Sequence, residues 1–517
     1  MPLSQAVLQW FEKHQHETLL QHSLSVPLLL FCSIVFLLWI NRGSRSEKSL
    51  NLPPSPPKLP IIGHLLYLGK LPHRSFLALS EKYGPIMLLY FGPTPALIVS
   101  SAEICKQIMK THDTIFANRP TSSASKAFVG GDLDVGFAPY GEYWREIRKI
   151  FVTDLLTAKR RESFKFVREE EIGKMVSIIK QSCLEGCDVT VDVSELVATV
   201  VRNFIPRIAL GESWGRTAKY ADLPKLVAEN LGTITFEDVL PSLKWLDVLT
   251  GLDKRIKDVA KTVHQFLDEV IDDHLSSRKG DDEPRDFVDT LLAYQRDPAS
   301  AIELTRESLK TIVLDMYVGG IDMLNTSFEW VMTEVFNHPN VMKKLQKEIR
   351  EVVGTKSKVD ENDITRMDYL HCVIKETLRV HPTLALLIPR LSSASTTIEG
   401  YHIPAKTRVY INAWAISRDP KIWDRPEEFI PERFIDNPID FKSQEFEFTP
   451  FGGGRRMCPA VSFATNSLEA VIANLFYWFD WKLPNDAKDM KLDTTEASGA
   501  TLHKKYPVLL APIAHTF

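Results

Sequence analysis

A proline-free stretch from Thr305 to Asn337 restricts the fold of this chain more than any other feature. Thr305 suits an N-cap and Pro339 a stop, so the spacing predicts one helix about 50 Å long at about 1.5 Å per residue. A rod of that length needs a large body packed around it. Near its middle stand Gly319 and Gly320, each about 1 kcal/mol worse than alanine in a helix interior. Taken alone, the pair indicates tight packing by another helix; a large group lying on the bare patch is the alternative.

Elsewhere the pattern is again mostly helical. Strand-like runs at Ile86–Tyr90, Ala96–Val99, Val409–Ile411 and Val508–Leu510 are too few for a large central sheet. The expected class is mainly α with small β-sheets, an α+β arrangement. A length of 517 residues suggests several domains, yet no internal repeat divides the chain. The polar Ser276–Arg285 segment fits a surface loop within one domain as well as a border. A net charge of -4 gives no basic footprint for nucleic acid. The six cysteines are scattered without a CxxC pair, which fits a reducing compartment.

The amino-terminal region reads differently. Leu24–Ile40 (LSVPLLLFCSIVFLLWI) is uncharged, apolar and just long enough to cross a bilayer. Arg42, Arg45 and Lys48 follow it at once, so the positive-inside rule leaves the rest of the chain on the cytosolic side. Residues 1–23 are then a luminal segment, 24–40 a transmembrane signal-anchor, 41–60 a basic and proline-rich linker, and 61–517 the folded body. The linker core, NLPPSPPKLP, predicts a stiff extended spacer.

The most specific chemical signal is Pro450–Ala460, PFGGGRRMCPA. Three glycines free the backbone, two arginines precede a cysteine, and Ser462–Phe476 reads as a helix. Cationic neighbours and a helix start lower a thiol pKa, so Cys458 is expected as a thiolate, either metal ligand or nucleophile. Phe451, Gly454, Arg456 and Cys458 resemble the haem-binding signature F-x-x-G-x-R-x-C-x-G of the cytochrome P-450 superfamily, with Ala460 in place of the last glycine. Glu376 and Arg379 in KETLR, Pro431–Phe434 as PERF, and Trp144 with Arg148 are similar to three further family motifs in order and spacing. The proline-rich linker and RRxCP context resemble the plant microsomal branch. The likeness covers the chain from Leu24 to the end and implies one large catalytic unit.

That resemblance implies haem b (iron protoporphyrin IX) with Cys458 as axial thiolate ligand to the metal, pushing electron density toward the opposite face to favour O–O cleavage. It assigns Trp144, Arg148, Arg456 and, less directly, Arg390 to the haem propionates, which planar guanidinium groups suit. Phe451, Gly454, Gly319 and Gly320 would border the cofactor. Glu376, Arg379 and Arg433 would form a buried structural network that fixes geometry.

Over the haem the family's long helix carries an acid followed by threonine; here Asp322 is followed by Met323, whose thioether donates no proton. Thr326 and Ser327 lie one turn on and would need a bridging water. Asp322, Met323 and Thr326 are thus the expected catalytic positions. The reading is a membrane-anchored monooxygenase-type oxidoreductase of the endoplasmic reticulum. It would oxidise a hydrophobic specialised metabolite such as a terpenoid, alkaloid or phenolic with O2. The resemblance implies electrons from a separate NADPH-cytochrome reductase, since the chain has no G-x-G-x-x-G motif after a strand. Loss of the usual threonine allows C–C or C–O coupling, ring formation or desaturation. A reductase-independent isomerase or lyase acting on a hydroperoxide is the alternative. The resemblance implies pocket walls at Thr121–Gly136, Phe204–Leu243, Gly319–Met323, Thr383–Ile388 and Ser498–Thr501; Asp132 and Asp134 read as solvated loop carboxylates.

Overall fold

The computed structural model of the chain describes residues 50–516 apart from 186–188, 215–217, 278–284, 443–444, 485–490 and 498, together with Phe31 and Ser33. Helices used below are α1 (Glu142–Ile150), α2 (Val193–Ala209), α3 (Leu223–Leu231), α4 (Leu252–Ser276), α5 (Arg306–Asn337), α6 (Asp368–Val380) and α7 (Val461–Trp478). Strands are β1 (Ile86–Phe91), β2 (Thr94–Val99), β3 (Val191–Asp192), β4 (Arg390–Leu391), β5 (Arg408–Ile411), β6 (Phe479–Lys482) and β7 (Leu509–Ala514).

The proline-free stretch is one helix, α5, and the Thr305 side chain caps it by accepting from Ser308 N. Apolar residues occur on all its faces, with Ile312, Val313, Phe328, Trp330, Val331 and Val335 buried, as expected of a helix enclosed by protein. Other helices pack along it, α2 closest: a Cβ built on Gly320 would sit 3.1 Å from Ile205 Cδ1. The same construction on Gly319 meets nothing within 4 Å. The glycine pair therefore splits, one residue admitting a neighbouring helix and the other facing open space.

Each predicted strand run lies in or overlaps an observed strand. β1 and β2 form an antiparallel hairpin with Ile86 opposite Val99; β2 runs parallel to β5, and β5 pairs antiparallel with β4. The resulting order is β1-β2-β5-β4. A second small sheet places β7 between β3 and β6. The proline-rich segment is not a free spacer. Pro54 O accepts from Leu88 N at 3.0 Å and Asn51 O from His402 N at 2.6 Å, so it lies against the folded body. The predicted span 24–40 falls outside the described residues except for Phe31 and Ser33. Among the described residues no helix is long and apolar enough to cross a membrane.

Candidate active site

The loop before α7 is fixed from behind. Gly454 has φ +65°, and a Cβ there would stand 2.2 Å from Met109 O and 2.9 Å from the Asp113 carboxylate, so only glycine fits. Asp113 accepts from Arg455 N at 2.8 Å and from Arg390 Nη1 at 2.9 Å. Arg390 also donates to Gly453 O at 2.6 Å. Within the loop Cys458 N donates to Phe451 O at 2.9 Å, and Ala460 N approaches Cys458 Sγ at 3.4 Å. Ala460 has φ -95°, a conformation open to any residue, so the alanine that replaces the signature's glycine causes no backbone strain here.

Burial pushes the Cys458 thiol up, outweighing the Ala460 N–H and the Arg148 guanidinium that favour the anion. The sequence expectation of a lowered pKa thus needs correction: the adjacent arginines point elsewhere. Arg455 is exposed toward Asp113, while Arg456 donates to Ala117 O at 2.7 Å and to Ala138 O. A bound metal would deprotonate this sulfur on coordinating it.

Around that loop four guanidinium groups converge. Arg119, Arg390 and Arg456 are buried, and Arg148, on α1, reaches Met457 O. Burial is the chief force pushing Arg456 down to about 9, with like charge from Arg390 adding to it. Arg119 is lowered by burial and then by Arg390, Arg456 and Arg148. Apart from Arg390, which pairs with Asp113, these groups donate to backbone carbonyls. Trp144 Nε1 likewise donates to Val135 O at 3.0 Å. Sequence reasoning missed Arg119: nothing in Asn118-Arg119-Pro120 marks it, and its role emerges only from segments distant in sequence.

On α5 the Asp322 carboxyl is raised by burial and accepts from Thr501, whose Oγ1 lies 2.9 Å from Asp322 Oδ2. Thr326 Oγ1 is 3.5 Å from the same hydroxyl. Thr501 is held because Trp330 Nε1 donates to Leu502 O at 2.8 Å and Leu502 N to Thr383 O at 2.8 Å. Ser327 Oγ donates back to Met323 O at 2.9 Å, an i to i-4 bond that occupies its proton within the helix. Met323 lines a small apolar cavity with Phe451, Leu378, Ala464 and Leu468, between α5 and the cysteine loop. Thr501 was named in the sequence only as pocket wall; its partnership with Asp322 carries no local signal.

Glu376, Arg379 and Arg433 come together. Glu376 and Arg379 have side chains 0% exposed; Arg379 Nε lies 2.7 Å and Nη2 2.8 Å from the carboxylate, and Arg433 Nε 3.0 Å. Arg379 also donates to Ser417 O, Pro426 O and Glu428 O, tying α6 to the segment that precedes PERF.

The expected wall segments touch their neighbours in pairs. Ile205 touches Gly320, Gly232 approaches Ala500, Leu502 joins Thr383, and Val135 N donates to Asp315 Oδ2 on α5. Ser498 lies outside the described residues. Asp134 is not a solvated loop carboxylate: it is 0% exposed and accepts from Phe137 N and Ala138 N. Turn capping and burial under α5 explain the difference.

The buried cationic cluster, whose donors mostly settle on carbonyls, fits the carboxylate edge of a haem; the bare Gly319 face and the thiol loop fit its plane and metal. Known proteins agree. The family model described as "Cytochrome P450" matches residues 53–510. Cytochrome P450 71A1 of Persea americana is 49% identical over 88% of this chain and 91% of its own. Desmethylyatein synthase of Sinopodophyllum hexandrum is 45% identical over 94% and 98%. A solved zebra fish cytochrome P450 with progesterone superposes with TM-score 0.74 at 25% identity, covering 86% of this chain and all of that one. With its match running nearly end to end, the chain belongs to the cytochrome P450 family, as a plant-type haem-thiolate oxidoreductase.

Proposed function

We propose that the protein inserts one atom of dioxygen into a hydrophobic plant specialised metabolite, with Cys458 as the residue that would hold the haem iron and a separate NADPH-dependent reductase as electron source. The haem supplies the activation of dioxygen; the chain's own residues do the rest. Trp144, Arg119, Arg148 and Arg456 would hold the cofactor's carboxylates, Arg390 braces the cysteine loop through Asp113 and Gly453, and the Glu376–Arg379–Arg433 network fixes the segment that precedes Pro431–Phe434. Asp322 and Thr501 hold a proton at Asp322 Oδ2, and Thr326 extends that hydroxyl pair. Met323 contributes apolar wall and no proton.

The observation that carries the substrate reading is the open face that Gly319 leaves on α5, room for an apolar ligand with few polar handles. Desmethylyatein synthase, whose name gives a specialised product, supports the same class. Residues 24–40 anchor the chain in the endoplasmic reticulum membrane, with 1–23 luminal and 61–517 cytosolic. Alkaline washing of microsomes should leave the full chain in the membrane and release a chain truncated before residue 50.

The test incubates holoenzyme, reductase and NADPH with a panel of terpenoids, alkaloids and phenolics under labelled dioxygen. One labelled oxygen in the product is expected. Turnover of a hydroperoxide without reductase, or an unlabelled coupled or desaturated product, would overturn insertion.

A further inference from the structure

The backbone from Leu133 to Ala138 is a ribbon with two differently occupied edges. Along one, successive amide groups point at two carboxyls. Val135 N lies 2.7 Å from Asp315 Oδ2 and Gly136 N also reaches Asp315. Phe137 N lies 3.1 Å from both Asp134 oxygens and Ala138 N 3.0 Å from Asp134 Oδ1. Along the other edge the carbonyls face the cationic cluster: Val135 O accepts from Trp144 Nε1, Gly136 O from Arg119 Nε at 3.2 Å, and Ala138 O from Arg456. A Cβ on Gly136 would stand 3.1 Å from Asp134 Oδ2 and 3.6 Å from Asp315 Oδ1, so the ribbon lies directly on both acids.

Two carboxyls packed against the same residue cannot both be charged at ordinary cost; one proton between them turns repulsion into a hydrogen bond. Asp134 and Asp315 both lie against Gly136, and burial drives both upward, Asp315 far above the usual carboxylate range. We propose that Asp134 and Asp315 share a single proton, and that this pair sets the ribbon which aligns Trp144, Arg119 and Arg456, making Asp315 a positioning residue for the haem edge.

The charge pattern identifies which acid keeps the proton. Asp134 faces Arg119 and Arg456, whose charges favour its anion, and accepts two amide protons. Asp315, on α5, faces the negative Asp134. The remaining titratable groups beside the pair are Tyr143 on α1 and Asp132 on the loop, with Arg148 and Arg390 acting on Arg119 from behind. Protonated Asp315 donates to Asp134 while its other oxygen accepts from Val135 N. Asparagine at 315 reproduces that pattern without a titrating proton. Alanine reproduces none of it.

The sign of the pH effect follows. A carboxyl raised in the folded state binds its proton more tightly there, so stability falls as pH rises from about 4, the unfolded value, toward the raised one. The experiment follows haem transfer from wild-type, Asp315→Asn and Asp315→Ala holoenzymes to excess apomyoglobin between pH 5 and 9, with melting temperature in parallel. Asp315→Asn should transfer haem within about twofold of wild type at pH 6 and show a flatter alkaline rise. Asp315→Ala should transfer roughly tenfold faster, as expected for loss of a hydrogen bond to a charged group. If the alanine variant yields no holoenzyme, the pH profiles of the other two proteins decide. An Asp315→Asn profile as steep as wild type, or haem loss as fast as in an alanine variant that folds, would overturn the shared proton. Unchanged haem retention in Asp315→Ala would overturn the positioning role.

Discussion

Replacing Glu376 with glutamine tests the network that supports the haem pocket. The amide keeps the side chain's volume but removes the charge that faces Arg379 at 2.7 and 2.8 Å and Arg433 at 3.0 Å. It also replaces one acceptor oxygen by a donor that points into guanidinium groups. Both Glu376 and Arg379 are completely buried, so water cannot compensate, and breaking such a pair costs about 3–5 kcal/mol. At about 2.1 cal/mol/K per residue, the matched span of residues 53–510 unfolds with an entropy near 1 kcal/mol/K, so the melting temperature should fall by about 3–5 °C. Circular dichroism melts of the holoenzyme measure it, alongside the fraction of purified chain carrying haem, which should drop with it. Arg433→Gln removes only the outer, partly exposed partner and should cost less. The double variant should fall short of the sum, because both changes act on one network. A shift below about 1 °C for Glu376→Gln, with full haem content, would refute the reasoning.

Three further outcomes follow from the same geometry. Thr501→Val keeps shape but removes the hydroxyl on Asp322; with reductase and NADPH it should raise hydrogen peroxide released per NADPH severalfold, with Thr501→Ser restoring the wild-type ratio. Adding Met323→Thr to Thr501→Val should recover part of it, and no change in any of these variants would remove the role given to Thr501. Gly319→Ala meets open space and should stabilise the fold by up to about 1 kcal/mol from helix propensity, while narrowing the substrate side and weakening ligand-induced Soret shifts. Gly320→Ala drives a methyl to 3.1 Å from Ile205 and should lose that gain, so equal melting temperatures for the two variants would contradict their different surroundings.

Local sequence carries local structure well in this chain. Helix α5 follows from the absence of proline and the Thr305 cap, the small strands from short apolar runs, and the cysteine loop from glycines that Met109 and Asp113 require. What the sequence leaves open is set by distant contacts. Asp134 has the composition of a surface loop, and only α5 lying over it makes it a buried acid. Arg119 and Thr501 gain their meaning from partners more than a hundred residues away. The thiol of Cys458 illustrates a different limit: neighbouring arginines promised a lowered pKa, but arginine side chains are long, and both turn away toward Asp113 and backbone carbonyls. Gly319 and Gly320 look alike in the sequence and differ only because α2 crosses beside one of them.

The most direct measurement is the absorption spectrum of the reduced holoenzyme under carbon monoxide. Wild-type protein should show the red-shifted Soret band diagnostic of sulfur anion opposite the gas, and Cys458→Ser should lose that band while Cys105→Ser and Cys372→Ser, buried elsewhere, keep it. A wild-type spectrum of the histidine-ligated kind, or a shifted band that survives in Cys458→Ser, would contradict the account.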